Sequence, residues 1–212
     1  MTDKIKVLLV DDHAVVRAGF RLLLASDEKI IVVAEAERAE QALMLYGEYQ
    51  PDIVITDLSM PGIGGLEYIR RLKQRDGQAK VLVFSIHDEA VYVERAINGG
   101  AMGYITKNSA AEIMLEAIYE IAKGNSYIEA GLLAEKNLPA EEMTPQAILN
   151  SLSAREFDIF CLLAKGLTAH EISEQLCLSY KTIANYSTQI KNKFKVGSVV
   201  ELAHIAIALG IG

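Results

Sequence analysis

The sequence predicts an α/β domain followed by an all-α domain. Short apolar runs, each followed by a polar residue, are typical of strands buried on both faces of a parallel sheet. They lie at residues 5–10, 52–56, 81–84 and 102–106. Helical periodicity occurs at 13–25, 39–46 and 110–122. This alternation predicts a five-stranded, parallel, doubly wound (flavodoxin-like) sheet with helices on both faces. From residue 151 onward every pattern is helical.

Chain length, the positions of prolines and glutamates, and charge indicate how the chain divides into domains and a linker. The 212 residues suit two small domains, and we expect them at 1–125 and 151–212. Residues 126–150 are expected to form a linker with one short helix, because prolines and glutamates interrupt the apolar pattern there. From residue 151 the chain has six Lys/Arg and five Asp/Glu, a net of +1, so the total of −7 leaves −8 for the front part. An acidic regulatory domain joined to a reader of nucleic acid has this distribution.

Other sequence features argue against a secreted protein, a membrane-spanning protein and a metal site built from histidines. The N-terminus has no signal-peptide character, and no apolar run approaches the roughly 20 residues that span a bilayer, so no membrane partner is expected. Cys161 and Cys177 lie among apolar neighbours and are expected to be reduced core residues of a cytoplasmic protein. The four histidines lack metal-ligand spacing and are expected in core or surface roles.

Polar residues at the strand ends predict a site. Asp11 and Asp12 follow the first run, Asp57 the second, Ser85 the third and Lys107 the fourth. Because the carboxyl ends of parallel strands share one crevice, these side chains should meet there. Clustered carboxylates repel one another, and a hard cation such as Mg²⁺ relieves that repulsion.

The same set suits phosphoryl chemistry. Asp57 could attack phosphorus and become an acyl phosphate, while the metal, Lys107 and Ser85 neutralise or hydrogen-bond the transferred oxygens. The alternative is that the aspartates are helix N-caps. That explains one aspartate, but it does not explain a doublet together with Ser85 and Lys107.

These motifs, with Tyr104 in the run before Lys107, resemble the receiver domain of two-component response regulators. The resemblance implies that Asp57 is the phosphoacceptor and that Ser85, Tyr104 and Lys107 complete the switch. It also implies a Mg²⁺ site and catalysis only of the protein's own phosphorylation and dephosphorylation. The implied metal residues are Asp11, Asp12, Asp57 and the Ser59 backbone carbonyl. Asn108 stands where many receivers carry proline.

The second domain is expected to contain four helices and a helix-turn-helix. Two helix starts carry a Ser or Thr followed three residues later by Glu, which is the capping-box spacing. The expected caps are Ser153, Thr168 and Ser179, and the expected helix-closing glycines are Gly166 and Gly197. A short turn between the second and third helices completes the helix-turn-helix pattern.

The helix after Ser179 has two faces. Ile183, Ser187, Ile190 and Phe194 form a core seam. The other face mixes amides and hydroxyls, which suit base edges, with lysines, which suit phosphates. The expected DNA-contacting residues are Lys181, Thr182, Ala184, Asn185, Thr188, Lys191 and Asn192. On composition alone, an ordinary solvated face explains them equally well.

Residues 152–156, 165–168, 171–173, 181–183 and 201–203 resemble the LuxR-type helix-turn-helix of NarL/FixJ response regulators. Double-stranded DNA is therefore the implied partner. Ala184 and Tyr186 depart from the common lysine and histidine, as in the GacA/UvrY branch.

The last helix predicts a dimer. Residues 199–209 are apolar nearly all round, so one stripe packs internally and a second requires a partner. Val200, Ala203 and Ile207 form the second stripe. A two-fold dimer through it would place two reading helices about 34 Å apart on an inverted repeat.

These features together predict a phosphorylation-controlled transcription regulator. A sensor histidine kinase is expected to donate the phosphoryl group, and RNA polymerase is a further candidate partner. Two alternatives stay open. An aspartate-based phosphatase would need a second acid near Asp57 and a substrate cap, and an interaction protein that has lost DNA binding would be compatible with Ala184.

Overall fold

The computed structural model describes residues 4–132 and 144–211. The chain forms two compact units, Met1–Ala134 and Glu135–Gly212. The elements of the first are β1 (Ile5–Val10), α1 (Ala14–Ala25), β2 (Ile30–Ala36), α2 (Ala39–Tyr49), β3 (Ile53–Thr56), α3 (Gly65–Arg75), β4 (Val81–Ser85), α4 (Ala90–Asn98), β5 (Gly103–Thr106), α5 (Ala111–Lys123) and β6 (Tyr127–Ile128).

The sheet is parallel and has the order β2-β1-β3-β4-β5-β6. The first five strands follow the flavodoxin-like order, which confirms the predicted fold class. Every residue of β3, β4 and β5 is buried, as expected for strands covered by helices on both faces.

The helices cover this sheet through the faces that the sequence indicated. Val16 and Phe20 of α1 pack on the core, and the Phe20 ring meets Phe84 edge to face at 4.4 Å between ring centroids. Ala117 and Ile121 of α5 are fully buried on the sheet. This packing holds the strand ends, and hence the polar residues that follow them, in fixed relative positions.

The prediction of five strands was wrong, because β6 is a sixth strand in the described part of the chain. It has two residues, too few to produce an apolar run, and it forms because Tyr127 donates its backbone N–H to Met102 O at 3.0 Å. It lies inside the stretch expected to be linker. Pro139 and the nearby glutamates of that stretch lie outside the described residues.

The described elements of the second unit are all helices: α6 (Pro145–Ser151), α7 (Ala154–Ala164), α8 (Ala169–Gln175), α9 (Tyr180–Phe194) and α10 (Val199–Ala208). Ser153, Thr168 and Ser179 each cap a helix with the side chain, and the first two form capping boxes, as predicted. Gly166 ends α7 in the left-handed region, at a φ of 84°.

Two predictions in this unit were wrong. The left-handed residue that ends α9 is Lys195, at a φ of 56°, and Gly197 plays no such part. Cys177 is exposed rather than buried, because it occupies the tight turn between α8 and α9 at a φ of 52°. Cys161 is buried, and neither cysteine forms a disulfide. Within residues 4–132 and 144–211, no helix has the length and apolar character needed to cross a membrane.

Candidate functional site

The carboxyl edge of the sheet gathers an acidic cluster. Asp57 N donates to Val10 O at 2.9 Å, which places the end of β3 beside the end of β1. As a result, one ligand-type atom from each of Asp11, Asp12, His13 and Asp57 lies within 4.8 Å of the others. The proximity that we expected from the strand ends is therefore found.

Lys107 joins this cluster from the end of β5. Its Nζ donates to Asp11 Oδ2 at 2.6 Å and to Asp57 Oδ2 at 2.8 Å. Burial disfavours the charged ammonium, but the hydrogen bonds with Asp11 and Asp57 outweigh it and raise the pKa of Lys107. The ammonium is thus held charged between the two carboxylates.

Asp57 is almost fully buried and precisely oriented by its surroundings. Its Oδ1 accepts the Leu58 N–H at 2.6 Å, so Oδ2 is the oxygen that faces Lys107. Gly65, the first residue of α3, packs directly on the Asp57 backbone, and a Cβ there would clash with Asp57 O. This close approach brings the start of α3 up to the site.

The N-cap alternative does not describe these aspartates. The N-cap residues of α1 and α3 are His13 and Gly64, and neither helix has a side-chain cap hydrogen bond. Asp11 and Asp57 instead each place one oxygen, Oδ2, on the shared Lys107 ammonium, while Asp11 Oδ1 accepts the backbone N–H of His13 at 2.8 Å.

Asp12 fits a cation site. Its Oδ1 is buried and accepts no hydrogen bond from the described residues, although His13 Nδ1 lies 2.9 Å away. A buried carboxylate oxygen without a donor is costly unless a cation satisfies it. Clustered carboxylate oxygens are the ligands that Mg²⁺ prefers.

Ser85 and Tyr104 lie beside the cluster, and both are fully buried. Ser85 Oγ accepts the His87 N–H at 3.3 Å, and the Tyr104 hydroxyl donates to His87 O at 2.8 Å. Burial raises the pKa of the Tyr104 phenol, so it stays protonated as a donor. Both residues therefore form hydrogen bonds with the same segment, the loop after β4.

Sequence reasoning missed two histidines. His13 belongs to the acidic cluster, and its position next to the aspartate doublet was the available signal. His87 bonds Ser59 Oγ through Nε2 at 2.9 Å and stacks on Tyr92 at 3.9 Å between ring centroids. It therefore connects the loop that holds Ser59 with the loop after β4, and no local sequence pattern indicated that contact.

The second unit presents α9 as expected. Ile183, Ile190 and Phe194 are buried, and Phe194 stacks on Phe160 of α7 with ring centroids 5.1 Å apart. The predicted DNA-contacting residues lie on the other side, where all are exposed or half-buried: Lys181, Thr182, Ala184, Asn185, Thr188, Lys191 and Asn192. Tyr180, at the start of the helix, is 61% exposed and was not foreseen.

Lys193 connects α9 to α7. Its Nζ lies 2.7 Å and 2.8 Å from the two carboxylate oxygens of Glu156, the residue that also completes the Ser153 capping box. Burial opposes the charged carboxylate, but the hydrogen bonds from Lys193 and Ser153 dominate and lower the pKa of Glu156. This ion pair joins α9 to α7 beside the stacked rings of Phe160 and Phe194.

The last helix has one buried and one exposed apolar stripe. Leu202 and Ala206 of α10 are fully buried in the second unit. Val200 and Ile207 are 65% and 70% exposed, and Ala203 is half-buried between them. The second stripe is therefore available to another molecule.

Comparison with known proteins agrees with this architecture. Residues 7–119 match the response regulator receiver domain family, and residues 150–206 match the bacterial regulatory proteins of the luxR family. The chain is 41% identical to the transcriptional activator protein ExaE of Pseudomonas putida over 209 residues, 97% of each protein. It is 40% identical to the response regulator GacA of Pseudomonas aeruginosa over 211 residues, 98% of this chain and 97% of GacA.

A solved structure of the response regulator RcsB of Salmonella typhimurium has the same fold. It superposes with a TM-score of 0.70 over 98% of each chain at 22% identity. The chain therefore belongs to the two-component response regulators that combine a receiver domain with a LuxR-family regulatory domain. This confirms the family resemblance drawn from the sequence.

Proposed function

We propose that the protein is phosphorylated on Asp57 by a sensor histidine kinase and then binds promoter DNA through α9 to control transcription. The observation that carries the first step is the position of Lys107 Nζ between Asp57 Oδ2 and Asp11 Oδ2. A buried carboxylate paired with a partly buried ammonium is a nucleophile with a charge complement for an incoming phosphoryl group.

In the transfer, a carboxylate oxygen of Asp57 forms a bond to phosphorus as the phosphorus–nitrogen bond of a phosphohistidine donor breaks. The leaving imidazole nitrogen keeps the electron pair. The ammonium of Lys107 would then pair with the negatively charged oxygens of the transferred group, and the Ser85 hydroxyl can donate to one of them.

Mg²⁺ is the proposed cofactor. Asp11, Asp12, Asp57 and the Ser59 carbonyl would hold it, and Asp12 Oδ1 is the buried oxygen that lacks a donor. The ion supplies positive charge for the phosphoryl oxygens. The site's own net charge supports this, because the single ammonium of Lys107 does not balance three carboxylates.

The proposed switch passes through the loop after β4. Ser85 Oγ now accepts the His87 N–H and would turn to the phosphoryl group instead. The Tyr104 hydroxyl, which donates to His87 O, would follow the loop. A local charge change would in this way bias a two-state surface of the receiver.

The output is proposed to be a DNA-bound dimer on an inverted repeat. The exposed amides, hydroxyls and lysines of α9 match the chemistry of base edges and phosphates. Val200, Ala203 and Ile207 of α10 form an apolar stripe that a second copy would cover. ExaE, similar over nearly the whole chain, is a transcriptional activator, and RNA polymerase is a proposed further partner.

The phosphorylation step is tested with intact-mass measurement. Wild-type protein with Mg²⁺ and phosphoramidate should gain one phosphoryl group, and Asp57→Asn should gain none. Asp52→Asn is the matched control, because Asp52 is an exposed aspartate immediately before β3, the strand that Asp57 follows. Equal labelling of Asp57→Asn would contradict the assignment. Multiple turnover of small phosphate esters would favour the phosphatase alternative.

A further inference from the structure

The chain that follows β6 is hydrogen-bonded to the loop that carries Lys107. Glu129 N donates to Tyr104 O at 3.0 Å, which extends the pairing of β6 with β5 by one bond. The Glu129 carboxylate then accepts two further hydrogen bonds through Oε2, from Thr106 N at 2.8 Å and from Ser109 Oγ at 2.7 Å. One residue therefore contacts the strand before the lysine and the turn after it.

Lys107 is the second residue of a turn formed by residues 106–109. The turn is closed by Ser109 N, which donates to Thr106 O at 3.1 Å, and by a contact of 3.1 Å between the hydroxyls of Thr106 and Ser109. Lys107 N donates to Ser85 O at 2.7 Å. Because Asn108 has no ring to restrict its φ, the order of the turn depends on such contacts rather than on the chain itself.

Glu129 supplies the strongest of these contacts. A carboxylate that accepts a backbone N–H and a hydroxyl makes charge-assisted hydrogen bonds, which are shorter and stronger than neutral ones. Glu129 is half-buried, so water competes only in part for its oxygens. Without it, the Thr106 N–H would lose its acceptor and the Ser109 hydroxyl would keep only its contact with the Thr106 hydroxyl, so the turn would be free to shift the Lys107 side chain.

We propose that Glu129 is a positioning residue for phosphoryl transfer: it acts through the Thr106–Ser109 turn to keep the Lys107 ammonium aimed at Asp57. The proposal rests on the proposed phosphorylation of Asp57. It also gives the chain just beyond the sheet a direct effect on the chemistry, because Glu129 lies after β6, three residues before the last described residue of the first unit. Coupling of this kind is reciprocal, so a shift of Lys107 towards a phosphoryl group also acts on Glu129.

The first test is kinetic and uses the full-length chain with Mg²⁺ and phosphoramidate. Glu129→Ala should slow phosphorylation of Asp57 about tenfold, less than the roughly hundredfold effect of a full 1 Å misplacement, because the other contacts of the turn remain. Glu129→Gln keeps an acceptor oxygen and should restore part of the rate. Glu116→Ala is the matched control, because this carboxylate bonds the Tyr127 hydroxyl beside β6 without touching the turn. Its rate should stay within about twofold of wild type.

A double mutant separates positioning from a general structural role. In a Lys107→Ala background, Glu129→Ala should cause no further slowing, because the group that it positions is gone. An equal slowing in both backgrounds would overturn the proposal. A wild-type protein that takes up no phosphoryl group would instead overturn the proposed function itself, so the two failures are distinguishable.

The second test needs no phosphorylation. Hydrogen exchange at the Thr106 amide should be faster in Glu129→Ala than in wild type and unchanged in Glu116→Ala, because only the first variant removes its acceptor. Unchanged exchange at Thr106 would overturn the proposal. If Glu129→Ala does not fold, Ser109→Ala removes one of the two donors and should give a smaller slowing that also disappears without Lys107.

Discussion

The Tyr104 hydroxyl donates to the backbone carbonyl of His87 at 2.8 Å, while the His87 N–H donates to Ser85 Oγ at 3.3 Å. The two proposed switch residues therefore hold the same residue from its two backbone groups. We expect a movement of Ser85 towards Asp57 to weaken its bond with the His87 N–H, and the bond between Tyr104 and His87 to pass that change to the aromatic ring.

The first prediction concerns this link. Ser85→Ala should still be phosphorylated, because Asp57, Lys107 and the acidic cluster are intact. It should show a smaller phosphorylation-dependent increase in DNA binding, because alanine has no hydroxyl that could leave the His87 N–H and donate to the phosphoryl group. A titration of promoter DNA with and without phosphoramidate measures the increase. A wild-type increase in Ser85→Ala would contradict the proposed route through His87.

The second prediction concerns the ammonium. Lys107→Ala should lower the phosphorylation rate by a factor on the order of a hundred, since it removes one preorganised donor to the transferred oxygens. Mg²⁺ binding, measured by calorimetry, should persist because the oxygen ligands remain. Lys80→Ala is a suitable control, since its ammonium bonds Ala122 O and not the acidic cluster. A rate close to wild type in Lys107→Ala would refute the role of this lysine.

The third prediction concerns pH and the second unit. The pKa of Glu156 is lower in the folded chain than its ordinary value of 4.5. The stabilisation by Lys193 is therefore complete above that value and is lost as the pH falls through the lower folded pKa. Lys193→Met should reduce the free energy of unfolding at neutral pH by about 1–2 kcal/mol, a modest figure because Lys193 is 39% exposed.

Urea denaturation of full-length protein, followed by circular dichroism, tests this pair. The loss caused by Lys193→Met should shrink as the pH is lowered below the ordinary carboxyl range. Lys181→Met removes an exposed lysine of the same helix and should change stability little. A loss that is independent of pH would show that Lys193 acts by packing and not through Glu156.

The fourth prediction tests the exposed face of α9. Ala184→Lys should strengthen non-specific DNA binding and steepen the slope of log K against log salt by about 0.9 for one added phosphate contact. Gln74→Lys adds the same charge at an exposed position of α3 in the first unit and should change the slope less. Equal slopes for Ala184→Lys and wild type would mean that this face does not meet DNA.

The fifth prediction tests the apolar stripe of α10. Ile207→Glu should leave the receiver folded and phosphorylatable, because Ile207 is exposed, but it should abolish cooperative binding to paired half-sites. Met44→Glu is the control, since Met44 is a similarly exposed apolar residue on α2. Light scattering on DNA decides the matter: a dimer of Ile207→Glu as stable as that of wild type would rule out this interface.

The sequence predicted the features that depend on regular strand positions or on residues close together in the chain. Asp11, Asp57 and Lys107 were expected to meet because each follows a buried strand, and the parallel sheet brings such positions together. Helix caps at Ser153 and Thr168 were equally accessible, since a cap depends on residues three positions apart. The roles proposed for Asp11, Asp57 and Lys107 in phosphoryl transfer, and for the second unit in DNA binding, stay predictions.

The features that could not be predicted from the sequence depend on contacts between distant segments or on a single backbone angle. Glu129 and the Thr106–Ser109 turn are 20 residues or more apart, and His87 reaches Ser59 from 28 residues away. Strand β6 forms only because the edge of β5 offers it partners. Lys195, and not Gly197, adopts the left-handed angle at the end of α9, a preference that composition alone assigned to glycine.

The exposed turn at Cys177 makes the protein a natural candidate for fluorescence work. Of its two thiols, only that of Cys177 faces solvent, and it sits two residues before the N-cap of α9. A maleimide dye should therefore label unmodified protein at one place, next to the helix proposed to meet DNA. Its anisotropy and emission could then report encounters with DNA in real time, with no engineered cysteine and no change to the receiver.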